Sequence, residues 1–259
     1  MEVDRRGFLK IAGLVGLGIA AKPLFDVLSP ARAAQELENA ETQVGMRLAM
    51  VVDVKASKDE FKSAVAACNR VHNVPAIEDV RQEIKWLWTT SYEGAFGESA
   101  HEYIDDYLKH LPVPILCNHC SNPPCVRVCP TRATFKRQED GIVMMDYHRC
   151  IGCRFCMAAC PYGARSFNWR DPRPFVDNVD PDFPTRSKGV VEKCNFCQSR
   201  LDRGLIPACV EATQQDGSNA LAFGDLNDRS SKVRELVTSR YSVRRKPELG
   251  TEPSVYYLF

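Results

Sequence analysis

The sequence predicts an α+β fold, on three observations. Short β-branched apolar runs suited to strands alternate with brief helical segments, Pro-rich connectors separate them, and twelve cysteines, most only a few residues apart, punctuate the chain. Of its 259 residues, 44% are hydrophobic and 26% charged, an ordinary globular composition that excludes disorder as the starting assumption. A formal charge of +1 is too balanced to draw the chain onto nucleic acid, so no nucleic-acid partner is expected.

The first 33 residues read as a separate object. Asp4-Arg5-Arg6-Gly7-Phe8-Leu9-Lys10 precedes an uncharged run over 11–21, and Ala31-Arg32-Ala33 offers a small-residue cleavage site. Paired arginines followed by Gly-Phe-Leu-Lys resemble the twin-arginine export signal, which implies passage to the periplasm or the extracytoplasmic face of the membrane in a folded, cofactor-loaded state. The uncharged run is shorter than the roughly 20 residues that span a bilayer. Lys10 and Lys22 can snorkel, however, and extend the apolar stretch. Removal of 1–33 and its retention as a membrane anchor helix therefore both stand.

The body, 34–259, has no apolar window long enough for a second span. A strand is expected at 47–54. Ser57-Lys58-Asp59-Glu60 then has the form of a capping box before a helix that carries Phe61, Val65, Cys68 and Val71 on one face. Further strands are expected at 83–90, 142–146, 164–169 and 220–224, and a short helix at 231–238. Asp171-Pro172-Arg173-Pro174 and the Pro-rich stretch 180–184 read as loops.

Two cysteine runs are near-repeats. Cys117, Cys120, Cys125 and Cys129 form C-x2-C-x4-C-x3-C-P, whereas Cys150, Cys153, Cys156 and Cys160 form C-x2-C-x2-C-x3-C-P, the bacterial ferredoxin spacing for [4Fe–4S] clusters. Three thiolates on one tight loop reach three iron corners of a cubane, while the fourth, carried away by the proline and turn, ligates the other cluster. The spacing thus assigns Cys117, Cys120, Cys125 and Cys160 to one cluster and Cys150, Cys153, Cys156 and Cys129 to a second. Structural zinc would use two C-x2-C pairs and leave the remaining cysteines over. Disulfides suit an exported protein, but dense C-x2-C spacing with proline after the last cysteine is a pattern of thiolate ligation.

A third group, Cys194, Cys197 and Cys209, lacks a fourth cysteine at Thr213. Here the whole chain resembles the four-cluster iron–sulfur subunits of the polysulfide and dimethyl-sulfoxide reductase group, whose first cysteine motif, ahead of a segment like Asn73-Val74-Pro75, pairs with the last. That resemblance makes Cys68 the fourth ligand of the third group. It also implies a fourth cluster whose ligands would stand at Lys58, Phe61, Ala64 and Thr213, and none of these is cysteine. Three [4Fe–4S] clusters are therefore expected, using all twelve cysteines.

The expected architecture is two nested tandem ferredoxin-like units, an inner one over about 112–175 and an outer one over about 45–111 plus 185–259. Such a chain conducts electrons and is not catalytic by itself. His119, His148, Trp86, Trp88, Trp169 and the C-terminal tyrosines are given packing or hydrogen-bonding roles, and Lys193, Arg200 and Arg203 a solvated surface, with offset of cluster charge at the third group as the alternative. The stretch 162–175 and the ending 248–258, with the export signal and three clusters, are similar to the periplasmic iron–sulfur subunits of DsrMKJOP complexes. This implies an NrfD-type polytopic membrane subunit that handles menaquinone, a multihaem cytochrome c subunit, other subunits of a membrane redox complex, and a place in sulfur metabolism linked to sulfite reduction. A molybdopterin polysulfide- or sulfoxide-type reductase with this chain as its wiring subunit is the alternative, and a free periplasmic ferredoxin a third.

Overall fold

The computed structural model describes residues 45–97 and 103–259. The export or anchor segment expected at 1–33 lies outside the described residues. Among the described residues, no helix is long and apolar enough to cross a membrane.

The expected α+β content is present. A four-stranded sheet is assembled from the two ends of the described chain: β1 (Leu48–Asp53) runs antiparallel to β8 (Leu221–Asp225) and parallel to β10 (Val255–Leu258), which pairs with β9 (Ser242–Val243). Strand β1 is apolar without alternation because both its faces are covered. Met50 and Val52 enter the main core, while Ala49 and Val51 pack with Val233 and Leu258 beneath the helix Lys232–Ser239. Three two-stranded antiparallel pairs come from the middle of the chain. They join β2 (Leu87–Thr90) to β3 (Val113–Leu116), β4 (Thr134–Lys136) to β5 (Val143–Met145), and β6 (Ser166–Phe167) to β7 (Val191–Glu192).

Helix α1 (Lys62–Val71) packs against the helix Ala208–Gln215, and this is the contact that brings Cys68 toward Cys209. Its start differs from the expected capping box. Glu60 and Phe61 take left-handed backbone (φ 58 and 65), Ser57 Oγ accepts from the Phe61 amide at 2.9 Å, and Asp59 Oδ2 accepts from the Ser63 amide at 2.7 Å. Complete burial of Phe61 offsets the backbone strain of that step. The buried face reads Phe61, Ala64, Cys68 and His72, so Val71 lies off it.

The strand expected at 83–90 shortens to Leu87–Thr90, because its partner β3 ends opposite Leu87 at Leu116 and the residues before it are held by other bonds. The Lys85 amide donates to Ser166 Oγ at 2.9 Å and Trp86 Nε1 to Glu192 Oε2 at 2.7 Å. Expected strands at 142–146, 164–169 and 220–224 and the helix at 231–238 all appear, the first two trimmed at their ends. Part of the connector after Asp171 forms a 3-10 turn, Arg173–Phe175.

Candidate metal centres

Cys117 follows β3 directly. The loop after it doubles back through His119 (φ 41), presents Cys120, and enters the helix Pro124–Arg127, which carries Cys125 behind prolines that pre-set its first turn. Cys160 closes the helix Phe155–Ala158 just before Pro161. The structure gathers Cys117, Cys120, Cys125 and Cys160 around one recess, shared with Tyr162 and Arg165. Burial, reinforced by the Cys117 thiol, pushes the Cys120 thiol up to about 12. The C-terminal segment straps this loop in place. Amides of Ser121 and Asn122 donate to the carbonyls of Glu252 and Thr251 at 2.9 and 3.1 Å, and the Ser254 amide donates to the Asn118 carbonyl at 2.8 Å.

The second set sits on the pseudo-equivalent loop. Cys150 and Cys153 precede the helix Phe155–Ala158, whose Cys156 is buried and lies beside Cys125 and Cys150. The two short cysteine helices pack on each other. Cys129 is partly buried, and its sulfur accepts from the Thr134 amide at 3.4 Å. Burial raises this thiol, but the bonds from Thr134, Thr131 and Ala133 outweigh it and lower it overall. Cys153 is half-exposed on the same loop, and its membership of the set, like that of Cys129, rests on spacing. Gly152 is obligatory in this loop. Its φ is +68, and a Cβ would stand 2.4 Å from the Gly189 carbonyl oxygen. Gly152→Ala is therefore expected to cost about 1–3 kcal/mol from left-handed backbone alone, with the steric contact added, read as a lower midpoint in anaerobic denaturant unfolding.

The third set is the most enclosed. After β7 the chain turns through left-handed Phe196 and Cys197 (φ 54 and 55), which places Cys194 and Cys197 on one tight loop. Cys209 comes from the helix Ala208–Gln215 and Cys68 from α1, and all four thiols are buried. Burial, then the neighbouring thiols of Cys194, Cys209 and Cys197, push Cys68 well up. Burial, then Cys117 and Cys197, push Cys194 to about 12. The Phe196 amide donates to Cys194 Sγ at 3.4 Å, and His72 Nδ1 lies 3.7 Å from Cys68 Sγ. The three sets thus fall in series: Cys194 neighbours Cys117, and Cys125 neighbours Cys156.

Three of the four positions of the missing fourth set are filled, and Lys58 is exposed. Phe61, Ala64 and Thr213 are buried in packed core, and Thr213 Oγ1 donates to the Val210 carbonyl at 2.9 Å. Among the described residues, no three His, Cys, Asp or Glu side chains are grouped to hold a single metal ion. A cubane instead takes its thiolates at separate corners.

Sequence reasoning mistook Lys193 for solvated surface. It is 1% exposed, and its Nζ donates to the carbonyls of Cys194, at 2.8 Å, and Val143. It also missed Arg165, which is buried against Cys125 and Cys156. His119 is buried and stacked on Phe196 at 3.7 Å between ring centroids, its Nδ1 accepting from the Val143 amide at 3.1 Å. Burial, then Lys193 and Arg165, hold this histidine neutral.

Residues 108–173 match the family model of the 4Fe-4S dicluster domain. The chain is 38% identical over 274 residues to the Hdr-like menaquinol oxidoreductase iron-sulfur subunit 1 of Archaeoglobus fulgidus, covering 98% of this chain and 97% of that one. It belongs to this family of iron–sulfur subunits. The iron–sulfur subunit is also 39% identical over 219 residues to the menaquinone reductase iron-sulfur cluster-binding subunit of Nitratidesulfovibrio vulgaris, over 76% of this chain and 82% of that one. A tetrathionate reductase subunit of Salmonella typhimurium shares 32% identity over all of this chain and 89% of its own. Relatives of this kind are subunits of oxidoreductase complexes, and the iron–sulfur subunit accordingly serves electron transfer rather than catalysis.

Proposed function

We propose that this subunit carries three [4Fe–4S] clusters and relays electrons between a quinone-interacting membrane subunit and a periplasmic cytochrome c, in a sulfite-reduction-associated complex of the DsrMKJOP type. The observation that carries this reading is the series of three cysteine sets: Cys68 with Cys194, Cys197 and Cys209 at one end, Cys117, Cys120, Cys125 and Cys160 in the middle, and Cys150, Cys153, Cys156 and Cys129 at the other. When bound, each cluster accepts and returns one electron at a potential set by its surroundings. The protein's own part is to exclude water, supply thiolates and stabilise negative charge. The buried Arg165 and the amides of Thr134 and Phe196 are aimed at sulfur, as an anionic group requires. The Cys150 loop ends the series at the surface, where Ile151 and Phe155 are exposed, so a soluble partner can approach it there.

In this reading the cysteine sets lie in two nested ferredoxin-like units, the inner one over about 112–175 and the outer one over about 45–111 plus 185–259. The nesting is supported by the sheet that joins β1 to β8 and β10. The quinone side is a menaquinone-handling NrfD-type subunit, supported by the two relatives named for menaquinol and menaquinone. Arg5 and Arg6 direct export of the loaded chain to the extracytoplasmic face. A wiring role in a molybdopterin reductase is favoured by the full-length likeness to the tetrathionate reductase relative, but Phe61, Ala64 and Thr213 fill the place of the fourth set.

One preparation tests these points together. Protein isolated anaerobically from membranes in mild detergent should carry about 12 iron and about 12 sulfide per chain and bring a quinone-binding multispan subunit with it. Arg5→Lys with Arg6→Lys should strand loaded chain in the cytoplasm. Iron near 16, zinc in place of iron, a molybdenum subunit as the companion, or undisturbed export of the double variant each overturns the corresponding part.

A further inference from the structure

Arg165 follows Cys160 by five residues, as Thr134 follows Cys129, so the two occupy equivalent places in the near-repeats. They meet in the structure. Arg165 Nη1 donates to Thr134 Oγ1 at 3.1 Å and lies 3.9 Å from Met145 Sδ. The side chain lines the recess of Cys117, Cys120, Cys125 and Cys160, and it also faces Cys156 of the second set. Arg165 is 5% exposed, and its Nη2 is buried with no hydrogen-bond partner among the described residues. No carboxylate pairs with it there either. The contrast with Arg186 is direct, since that guanidinium is matched by Glu192 at 2.7 Å. A buried guanidinium left without an anion is strongly unfavourable, so its complement must come from the cysteine sets that flank it.

We propose that Arg165 is the shared counter-cation of the middle and outer cysteine sets and sets the reduction potentials of both clusters they hold. The inference rests on the assignment of those sets as [4Fe–4S] sites. A cluster gains one negative charge on reduction, and a fixed positive charge nearby stabilises the reduced form, so Arg165 raises both potentials. A planar guanidinium presents several donors and can face two sulfur sets at once, whereas a lysine ammonium is a point charge that can approach only one. The near-repeats make this economical. One half supplies the cation and the other supplies Thr134 to hold it, so a single charge serves two centres.

The test is a redox titration of the full-length protein, purified anaerobically, followed by paramagnetic resonance, with iron and sulfide counted first. Arg165→Gln should load all three clusters and lower both the middle and outer midpoints. The expected shift is at least tenfold in each reduction equilibrium, which is about 59 mV for one electron, with the Cys68 centre unmoved. Arg165→Lys should hold one midpoint and lower the other. Fully loaded Arg165→Gln with either midpoint unmoved overturns the proposal. If Arg165→Gln does not load, Arg165→Lys decides, and a lysine protein with both midpoints unmoved overturns it equally. A wild-type chain without clusters in these two sets overturns the site assignment and the proposal together. A loaded wild type with an unresponsive variant overturns only the role of Arg165.

Discussion

Cys68→Ser is expected to remove or convert one cluster, with loss of up to about a third of the iron, while the other two cysteine sets keep all eight of their thiolates. Cys68 is the one member of its set supplied from α1, and it reaches the others only because that helix packs on the helix bearing Cys209. No other thiol on α1 can take its place. The buried face offers Phe61 and Ala64 on one side and His72 on the other, and His72 Nδ1 already lies 2.9 Å from the Cys68 carbonyl oxygen. Burial holds that imidazole near a pKa of about 4, so at neutral pH it brings no charge to the site. If the Cys68 set faces the membrane subunit, its loss interrupts exchange with the quinol pool more than exchange between the remaining two centres. Quinol-driven reduction should then fail, while dithionite still reduces two clusters. A Cys68→Ser protein with full iron, an unchanged paramagnetic spectrum and normal reduction by quinol would show Cys68 to be a core thiol and leave the third set one ligand short.

The middle and outer cysteine sets can be proposed from sequence because the ligation they would make is local. Each C-x2-C-x2-4-C run fits one tight loop, and only the exchanged fourth cysteine reaches across. Cys68 is another matter. As a lone cysteine on an amphipathic helix it reads as core, and only the resemblance to four-cluster subunits points to Cys194. The strands β3 and β10 went unread for a different reason. Val113-Pro114-Ile115-Leu116 contains a proline and flanks the first cysteine run, while Val255-Tyr256-Tyr257-Leu258 is a short terminal aromatic stretch whose parallel pairing with β1 depends on everything between them. Buried charges were invisible as well. Their one local signal is Val190-Val191-Glu192-Lys193, an apolar strand that runs into two charges just before Cys194. Both of those side chains are sealed inside.

Glu192→Ala is expected to be the most destabilising single change away from the cysteines, by about 3–5 kcal/mol, the cost of breaking a buried ion pair by removing one partner. Arg186 Nη2 lies 2.7 Å from Glu192 Oε2, and both side chains have no exposure. The carboxylate also accepts from Trp86 Nε1 at 2.7 Å and from Asn168 Nδ2 at 2.5 Å. Arg186 in turn donates to the carbonyls of His72 and Asn73, at 2.6 and 2.7 Å, where the chain leaves α1. One carboxylate therefore ties β7, and with it the Cys194 loop, to the end of the helix that carries Cys68. Alanine leaves the Trp86 indole N–H buried without its acceptor, the Arg186 guanidinium held by carbonyls alone without a counter-charge, and the Asn168 amide with only the Val190 carbonyl, and a methyl group can replace none of what is lost. Replacing both partners by apolar residues, as in Arg186→Met with Glu192→Leu, removes the charge together with its complement and should cost less than Glu192→Ala alone. Anaerobic urea unfolding of the three proteins, read by circular dichroism, gives the comparison. The Glu192→Ala protein should also lose the Cys68 cluster before the other two as urea rises. A single-variant loss below about 1 kcal/mol, or a double variant weaker than the single, would mean that the pair does not hold this junction together.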